Sequence, residues 1–259
     1  MVFPIGDDNS DRHITPLVNV TLIALNVLVF VFLQGCGSDL GFTYAFSTVP
    51  GEIVTGRDIV TESRTVQDSS TGELFSIPGL QPTPLTVYIT LLTSMFMHGG
   101  FAHILGNMFF LMIFGDNVEN LLGHARYLLF YLITGLLASL AHVASTYLLG
   151  MDPLIPSLGA SGAISGVLGA YLILFPRRRV RVLVFSFYVQ EVPAIVAIGI
   201  WFLFQLVSGI GMLGGDSGGV AYGAHIGGFV AGMLLIRLFA AGRSTTGRPG
   251  PPRGMGLFA

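Results

Sequence analysis

Six stretches of this chain, each twenty residues or longer, contain no Asp, Glu, Lys or Arg. They are Ile14–Gln34, Leu74–Gly115, Tyr127–Met151, Pro153–Pro176, Val192–Gly215 and Ser217–Ile236, and the apolar part of the second begins near Leu85. A helix crossing a hydrocarbon layer of about 30 Å needs about 20 apolar residues, so the pattern predicts an all-α polytopic membrane protein, a bundle of six transmembrane helices. Charged residues make up only 10% of the chain, against about 25% in a soluble domain. The first stretch is not read as a cleavable signal, because its apolar run is too long and the segment before it is acidic. A net charge of −2, with basic residues not gathered on one face, argues against nucleic acid as a partner. Cys36 is the single cysteine, which excludes an intrachain disulfide and a thiolate metal cage.

All twelve basic residues are Arg, and their positions orient the bundle. Arg12, Arg126, Arg177, Arg178, Arg179, Arg181, Arg237, Arg243, Arg248 and Arg253 fall on one side of a six-span chain; only Arg57 and Arg64 fall on the other. The expected organisation is a cytoplasmic N-terminus (1–13), a membrane domain (14–241) with a long outside loop (35–83), and a disordered cytoplasmic tail (242–259). The loop carries an aromatic patch, Phe42, Tyr44 and Phe46, suited to headgroup depth. The tail is rich in Gly, Pro and Arg and suited to contact with anionic lipid. The compact six-span form points to a prokaryotic plasma membrane. Oligomeric state has no sequence signal.

Polar groups inside spans are expensive and mark functional sites. Span two carries His98, His103 and Asn107, span four opens with Gly159-Ala160-Ser161-Gly162, and span six opens with Gly223-Ala224-His225. All three groups lie in the outer part of even-numbered spans, at one depth. His103 and Asn107, four apart, share a helix face; His98, about 140° away on a continuous helix, is expected to face another element. Gly162 and Gly166, and Gly228 and Gly232, form small-residue seams that let helices approach closely. Packing those seams together would bring Ser161 beside His225. Serine needs a base to become a nucleophile, and histidine is the usual one near neutral pH. No carboxylate lies within spans four or six, so such a pair would be a dyad. His103, Asn107 and the Ser161 backbone N–H are suitable oxyanion donors.

Other readings stand beside this one. Ser161 could simply bond back to its own helix, and an intramembrane histidine could be structural. His142 is read as structural, and His13 and His124 as loop residues without a role. A metal site lacks a His-Glu-x-x-His pattern and nearby carboxylates, and an aspartyl mechanism lacks intramembrane acids. A proton- or ion-relaying transporter would prefer an inverted repeat, and none is found.

Together the motifs resemble those of the rhomboid family of intramembrane serine proteases. The resemblance rests on Gly159-Ala160-Ser161-Gly162, on Ala224-His225 with Gly228 and Gly232, on His98, His103 and Asn107, and on Phe114-Gly115-Asp116-Asn117-Val118-Glu119. It implies a serine endopeptidase cleaving transmembrane substrates near the outer bilayer face, without metal or organic cofactor, and with a small residue before the scissile bond. By position, Ser161 would be the nucleophile, His225 the general base, and His103 and Asn107 oxyanion-hole residues. His98 would be structural near the site, Glu119 would support the cytoplasmic end, and Trp201 and Phe202 would lie in the substrate gate. Two features depart from the family pattern. Ser165 stands where many members stack an aromatic on the histidine, and the Trp-Arg pair of some first outside loops is missing, Trp201 being the single tryptophan. The alternative within the family is a non-proteolytic protein that binds membrane clients.

Overall fold

The computed structural model describes residues 2–67, 72, 74–184, 188–211 and 221–243. It runs β1 (Val2–Asp7), α1 (Leu17–Leu28, extended by a π turn to Leu33), α2 (Leu40–Ala45), α3 (Pro50–Thr55), β2 (Arg64–Gln67), β3 (Leu74–Ile77) and α4 (Thr90–Thr93, flanked by 3-10 turns). Then follow α5 (Phe101–Leu122), α6 (His124–Leu148), α7 (Ser161–Leu174), β4 (Arg179–Val184), β5 (Tyr188–Pro193), α8 (Ala194–Gly211) and α9 (Tyr222–Phe239). The chain is mostly helical, but the all-α expectation needs correction. β1, β4 and β5 form a three-stranded antiparallel sheet, with Val2 opposite Val184 and Arg179 opposite Pro193. The alternation Arg179-Val180-Arg181-Val182 is the cause: a period of two buries Val180 and Val182 and leaves both arginines outside. β2 and β3 make a separate ribbon within the long first loop.

The six uncharged stretches correspond to helices of unequal length. α5, α6 and α9 are long and apolar enough to cross a membrane, whereas Leu17–Leu33, Ser161–Leu174 and Ala194–Gly209 are shorter apolar helices. Stretch two is interrupted: its helical part at Val87–Phe96 stops at Met97–Gly100, where Gly100 has φ +157°, and α5 begins at Phe101. In stretch four, Pro153, Pro156 and Gly159 keep the first residues out of helix, so α7 has only 14 residues. At 1.5 Å per residue that is about 21 Å. The tail beyond residue 243 and the segment 212–220 lie outside the described residues.

α7 is the central helix. Val167, Gly169, Ala170 and Tyr171 are buried, as is nearly every other residue of its first three turns. It runs parallel to α9 with backbones in contact. A Cβ on Gly228 would sit 2.2 Å from the Gly162 carbonyl oxygen, and one on Gly232 would sit 2.0 Å from that of Gly166. The two seams therefore meet, and alanine at either position would force the helices apart. α6 crosses the pair antiparallel: Ala138 packs on Gly162 and Gly228, and Thr134 on Gly166. α5 lies parallel to α7 on the other side, with Phe114 edge-on to Tyr171 at 5.0 Å.

The end of the bundle where α5, α7 and α9 terminate is fastened by charge. Glu119, fully buried, accepts from the backbone N–H groups of Val18 (2.9 Å) and Asn19 (2.7 Å), so it caps α1 from a different helix. It also accepts from His124 Nδ1 at 2.5 Å, so His124 is a partner in this clamp rather than a bystander. Arg12 pairs with Asp116 at 2.9 Å and Arg178 with Asp11 at 2.5 Å. Arg126 donates to the carbonyl oxygens of Phe239 and Ala241 at the end of α9. The first residues of the chain are thus built into the body: Asp7 bonds Tyr171 and Asn117, and Arg178 bonds Asn117.

Candidate active site

At the opposite end, α5, α7 and α9 all begin. Ser161 is the first residue of α7 and His225 the fourth of α9. The Gly162–Gly228 contact sets their separation, and Ser161 Oγ lies 2.7 Å from His225 Nε2. Ser165, one turn on, is the hydroxyl that bonds back to the helix, donating to the Ser161 carbonyl at 2.7 Å. The backbone N–H of Ser161 is at a helix start, where such groups lack an intrahelical acceptor and the macrodipole favours negative charge.

His98 is placed differently from the helical-wheel expectation. It sits in the break before α5, not on the helix, and its ring meets that of His103 edge-on at 5.1 Å. Asn107 Nδ2 donates to His98 Nε2 at 3.0 Å. The His98 backbone is held by Gln34, whose Oε1 accepts from the His98 N–H and whose Nε2 donates to the His98 carbonyl, both at 2.9 Å. The sequence reading does not single out Gln34, although it is a buried amide at the end of an apolar span, which is the signal that could have found it.

Gly159 links these residues to Ser161. Its φ is +120°, and a Cβ there would lie 2.7 Å from His103 Nε2 and 3.6 Å from Asn107 Nδ2. The segment leading to the serine therefore passes close against the His103 and Asn107 side chains, and the Gly159 N–H is anchored to the Ser94 carbonyl at 2.8 Å. Only glycine fits both that backbone angle and that space.

The imidazole of His225 has aromatic neighbours: Trp201 on α8 at 6.3 Å and Tyr222 edge-on at 6.2 Å. Phe202 stacks on Phe229 at 4.1 Å. His225 Nδ1 is 2.8 Å from Gln205 Oε1. Gln205 is a second residue that sequence reasoning misses, hidden in the apolar stretch Val192–Gly215, where it is the one amide side chain. His142, on α6, has its backbone close to Gly223 of α9. Among the described residues no three His, Cys, Asp or Glu side chains converge as metal ligands.

Comparison with known proteins identifies the family. The rhomboid domain model matches residues 86–242. The chain is 34% identical over 158 residues to "Rhomboid protein 1, mitochondrial" of Saccharomyces cerevisiae, covering 60% of this chain and 43% of the yeast protein. It is 36% identical over 152 residues to "Rhomboid protease GluP" of Bacillus subtilis, covering 58% of this chain and 28% of that protein. With "RHOMBOID-like protein 4" of Arabidopsis thaliana it shares 36% identity over 146 residues, 56% of this chain and 32% of the plant protein. This chain thus spans less than half of each relative. The matched domain contains Ser161, His225, His103, Asn107 and Gly159 together with the helices that carry them: the chain is an integral membrane protein of the rhomboid family.

Proposed function

We propose that this chain is an intramembrane serine endopeptidase that uses Ser161 and His225 to hydrolyse peptide bonds in or near transmembrane segments of other membrane proteins. One observation carries the reading above the rest: a serine hydroxyl at a helix start lies 2.7 Å from an imidazole nitrogen on the neighbouring helix. The name of the Bacillus relative, a rhomboid protease, supports the same class of chemistry.

The reaction follows from the contacts. Ser161 Oγ attacks the scissile carbonyl carbon while its proton passes to His225 Nε2. The carbonyl oxygen becomes an oxyanion, toward which the Ser161 N–H, Asn107 Nδ2 and His103 are available as donors. The C–N bond then breaks, the proton on Nε2 goes to the leaving amine, and an ester remains on Ser161. Water repeats the sequence, giving a carboxylic acid and restoring the hydroxyl. A small residue before the scissile bond suits a site built against the bare backbone of Gly159. Trp201 and Phe202 on α8 form the side through which a substrate helix would enter.

The same reading takes the shorter apolar helices as spans, giving six. It puts the arginine-rich end, which holds Arg12, Arg126 and Arg178, on the cytoplasmic side and the site toward the outer face. The first residues and the tail after 241 would then be cytoplasmic. The relatives come from a bacterium, a yeast mitochondrion and a plant, so the prokaryotic plasma membrane is proposed on the compact six-span form alone.

A fluorophosphonate probe on the purified protein in detergent tests the assignment. Attack of Oγ on phosphorus expels fluoride and leaves a stable adduct that mass spectrometry locates. Labelling at Ser161, lost in Ser161→Ala and in His225→Ala with the fold retained, is expected. A folded protein that binds the reagent reversibly yet forms no adduct at Ser161 would overturn the nucleophile and favour a client-binding role.

A further inference from the structure

The dyad leaves one ring nitrogen of His225 unexplained, and the structure fills it. Nδ1 meets Gln205 Oε1 at 2.8 Å, the one hydrogen-bond partner of that nitrogen among the described residues. Gln205 is 7% exposed, on a helix whose adjacent Leu203, Phe204 and Val207 are 59%, 63% and 61% exposed. This part of α8 therefore turns Leu203, Phe204 and Val207 outward and the amide of Gln205 inward. Trp201, one turn earlier on the same face, borders the imidazole as well.

We propose that Gln205 is a positioning residue that fixes the tautomer and orientation of His225, extending the dyad to a Ser161–His225–Gln205 relay. The proposal rests on the assignment of Ser161 and His225 made above. An amide oxygen can only accept, so Nδ1 carries the proton; in the neutral ring Nε2 is then the bare acceptor, and the Ser161 hydroxyl is the donor of the 2.7 Å bond. That is the arrangement a general base needs. When Nε2 takes the serine proton, the Nδ1–H becomes part of an imidazolium and its bond to the amide oxygen strengthens. Without this acceptor the proton is free to sit on Nε2, where it blocks transfer from the serine. Among the described residues no carboxylate is bonded to the ring: its neighbours there are Ser161 from α7, Gln205 and Trp201 from α8 and Tyr222 from α9, and the titratable side chains nearest on the adjoining elements are His103 and His142. Since α8 also bears Trp201 and Phe202, the helix that walls the site is the one that orients the base. Moving it aside removes the orienting contact as well as the wall.

The test uses the whole 259-residue chain in detergent. Gln205→Met keeps the volume and removes the acceptor; it is expected to slow fluorophosphonate labelling of Ser161 and kcat about 10- to 100-fold with KM unchanged. This is less than the ~10⁴ seen where a triad's carboxylate is replaced by an amide. Gln205→Glu restores an acceptor and is expected to recover the rate to within about threefold of wild type. Labelling of Gln205→Met at the wild-type rate, or Gln205→Glu as slow as Gln205→Met in folded protein, would overturn the proposal. A second measurement needs no variant at Gln205: ¹⁵N spectra of the histidine ring nitrogens, with His225 identified by its loss in His225→Ala, should find the proton on Nδ1. Finding it on Nε2 would overturn the proposal while leaving the dyad. A wild-type protein not labelled at Ser161 would remove both.

Discussion

The two ends of helices α5, α7 and α9 solve opposite problems with polar residues. Where the helices end, charges are bound several times over: Glu119 holds two backbone N–H groups and His124, Arg178 reaches Asp11, Asn117 and the Asp8 carbonyl, and Asp7 accepts from both Tyr171 and Asn117. Where the helices begin, the groups are uncharged or weakly basic and joined in single file, Ser161 to His225 to Gln205 and Asn107 to His98. Redundant bonds among buried charges hold a fold, because losing one partner strands another in a low-dielectric interior. A single-file relay leaves each atom replaceable without stranding a charge, and each remains free to change partner during a reaction. Stability and chemistry are therefore separable along one set of helices.

The sharpest break of the comparison is Glu119→Ala. It uncaps α1 and leaves the N–H groups of Val18 and Asn19 without their acceptor, each worth roughly 1–3 kcal/mol, so a loss of roughly 3–5 kcal/mol is expected. Denaturant or thermal unfolding would measure it. The labelling rate of Ser161 per folded molecule should not change, since the contacts of His225 lie at the far end. A variant as stable as wild type would show that the α1 cap is not a main support.

Asn107→Ala is the converse. Its side chain contributes one bond to a neutral histidine ring, so unfolding should change little, about 1 kcal/mol. If Asn107 supplies a donor to the oxyanion, kcat should fall on the order of 10²–10³, equivalent to about 2.7–4 kcal/mol in the transition state. Cleavage of a transmembrane substrate in vesicles reads this. A rate within threefold of wild type would return Asn107 to a purely structural role.

How much of each end is legible in the sequence follows the same division. The glycine spacing 162/166 and 228/232 is enough to bring Ser161 against His225, because close backbone approach depends on missing side chains that can be counted in a sequence. His98 defeats the helical wheel because the wheel assumes one helix through Gly99 and Gly100, and those two glycines break it. Gln205 is easily passed over because its stretch is otherwise apolar, although a lone buried amide in such a stretch is costly unless it has a partner. The sheet is masked because four arginines near residue 180 read as an orientation signal, while the valines between them set a strand. The clamp at Glu119, Asp116 and Arg12 joins residues about a hundred positions apart, which no local pattern records.

Asp7 offers the smallest effect and the finest test of the charged end, because burial brings its charge into balance near neutrality. It closes β1, opposite Val180. Burial pushes its carboxyl up from the ordinary 3.8 to about 7, outweighing the bonds from Tyr171 and Asn117 and the attraction of Arg178, with Asp116 adding repulsion. A carboxyl whose affinity for protons is higher in the fold than in the unfolded chain stabilises the fold fully below its unfolded value. That contribution fades as pH rises through the folded one. The strand Val2–Asp7 should therefore exchange its amide hydrogens faster, after correction for intrinsic rates, as pH rises from about 5 to 8. The other strands' amides serve as internal reference. Asp7→Asn keeps an oxygen for Tyr171 and Asn117 but cannot ionise, so its protection should be flat across the same range. Equal pH slopes in the two proteins would mean that Asp7 is charged throughout and that Arg178, not burial, decides its state.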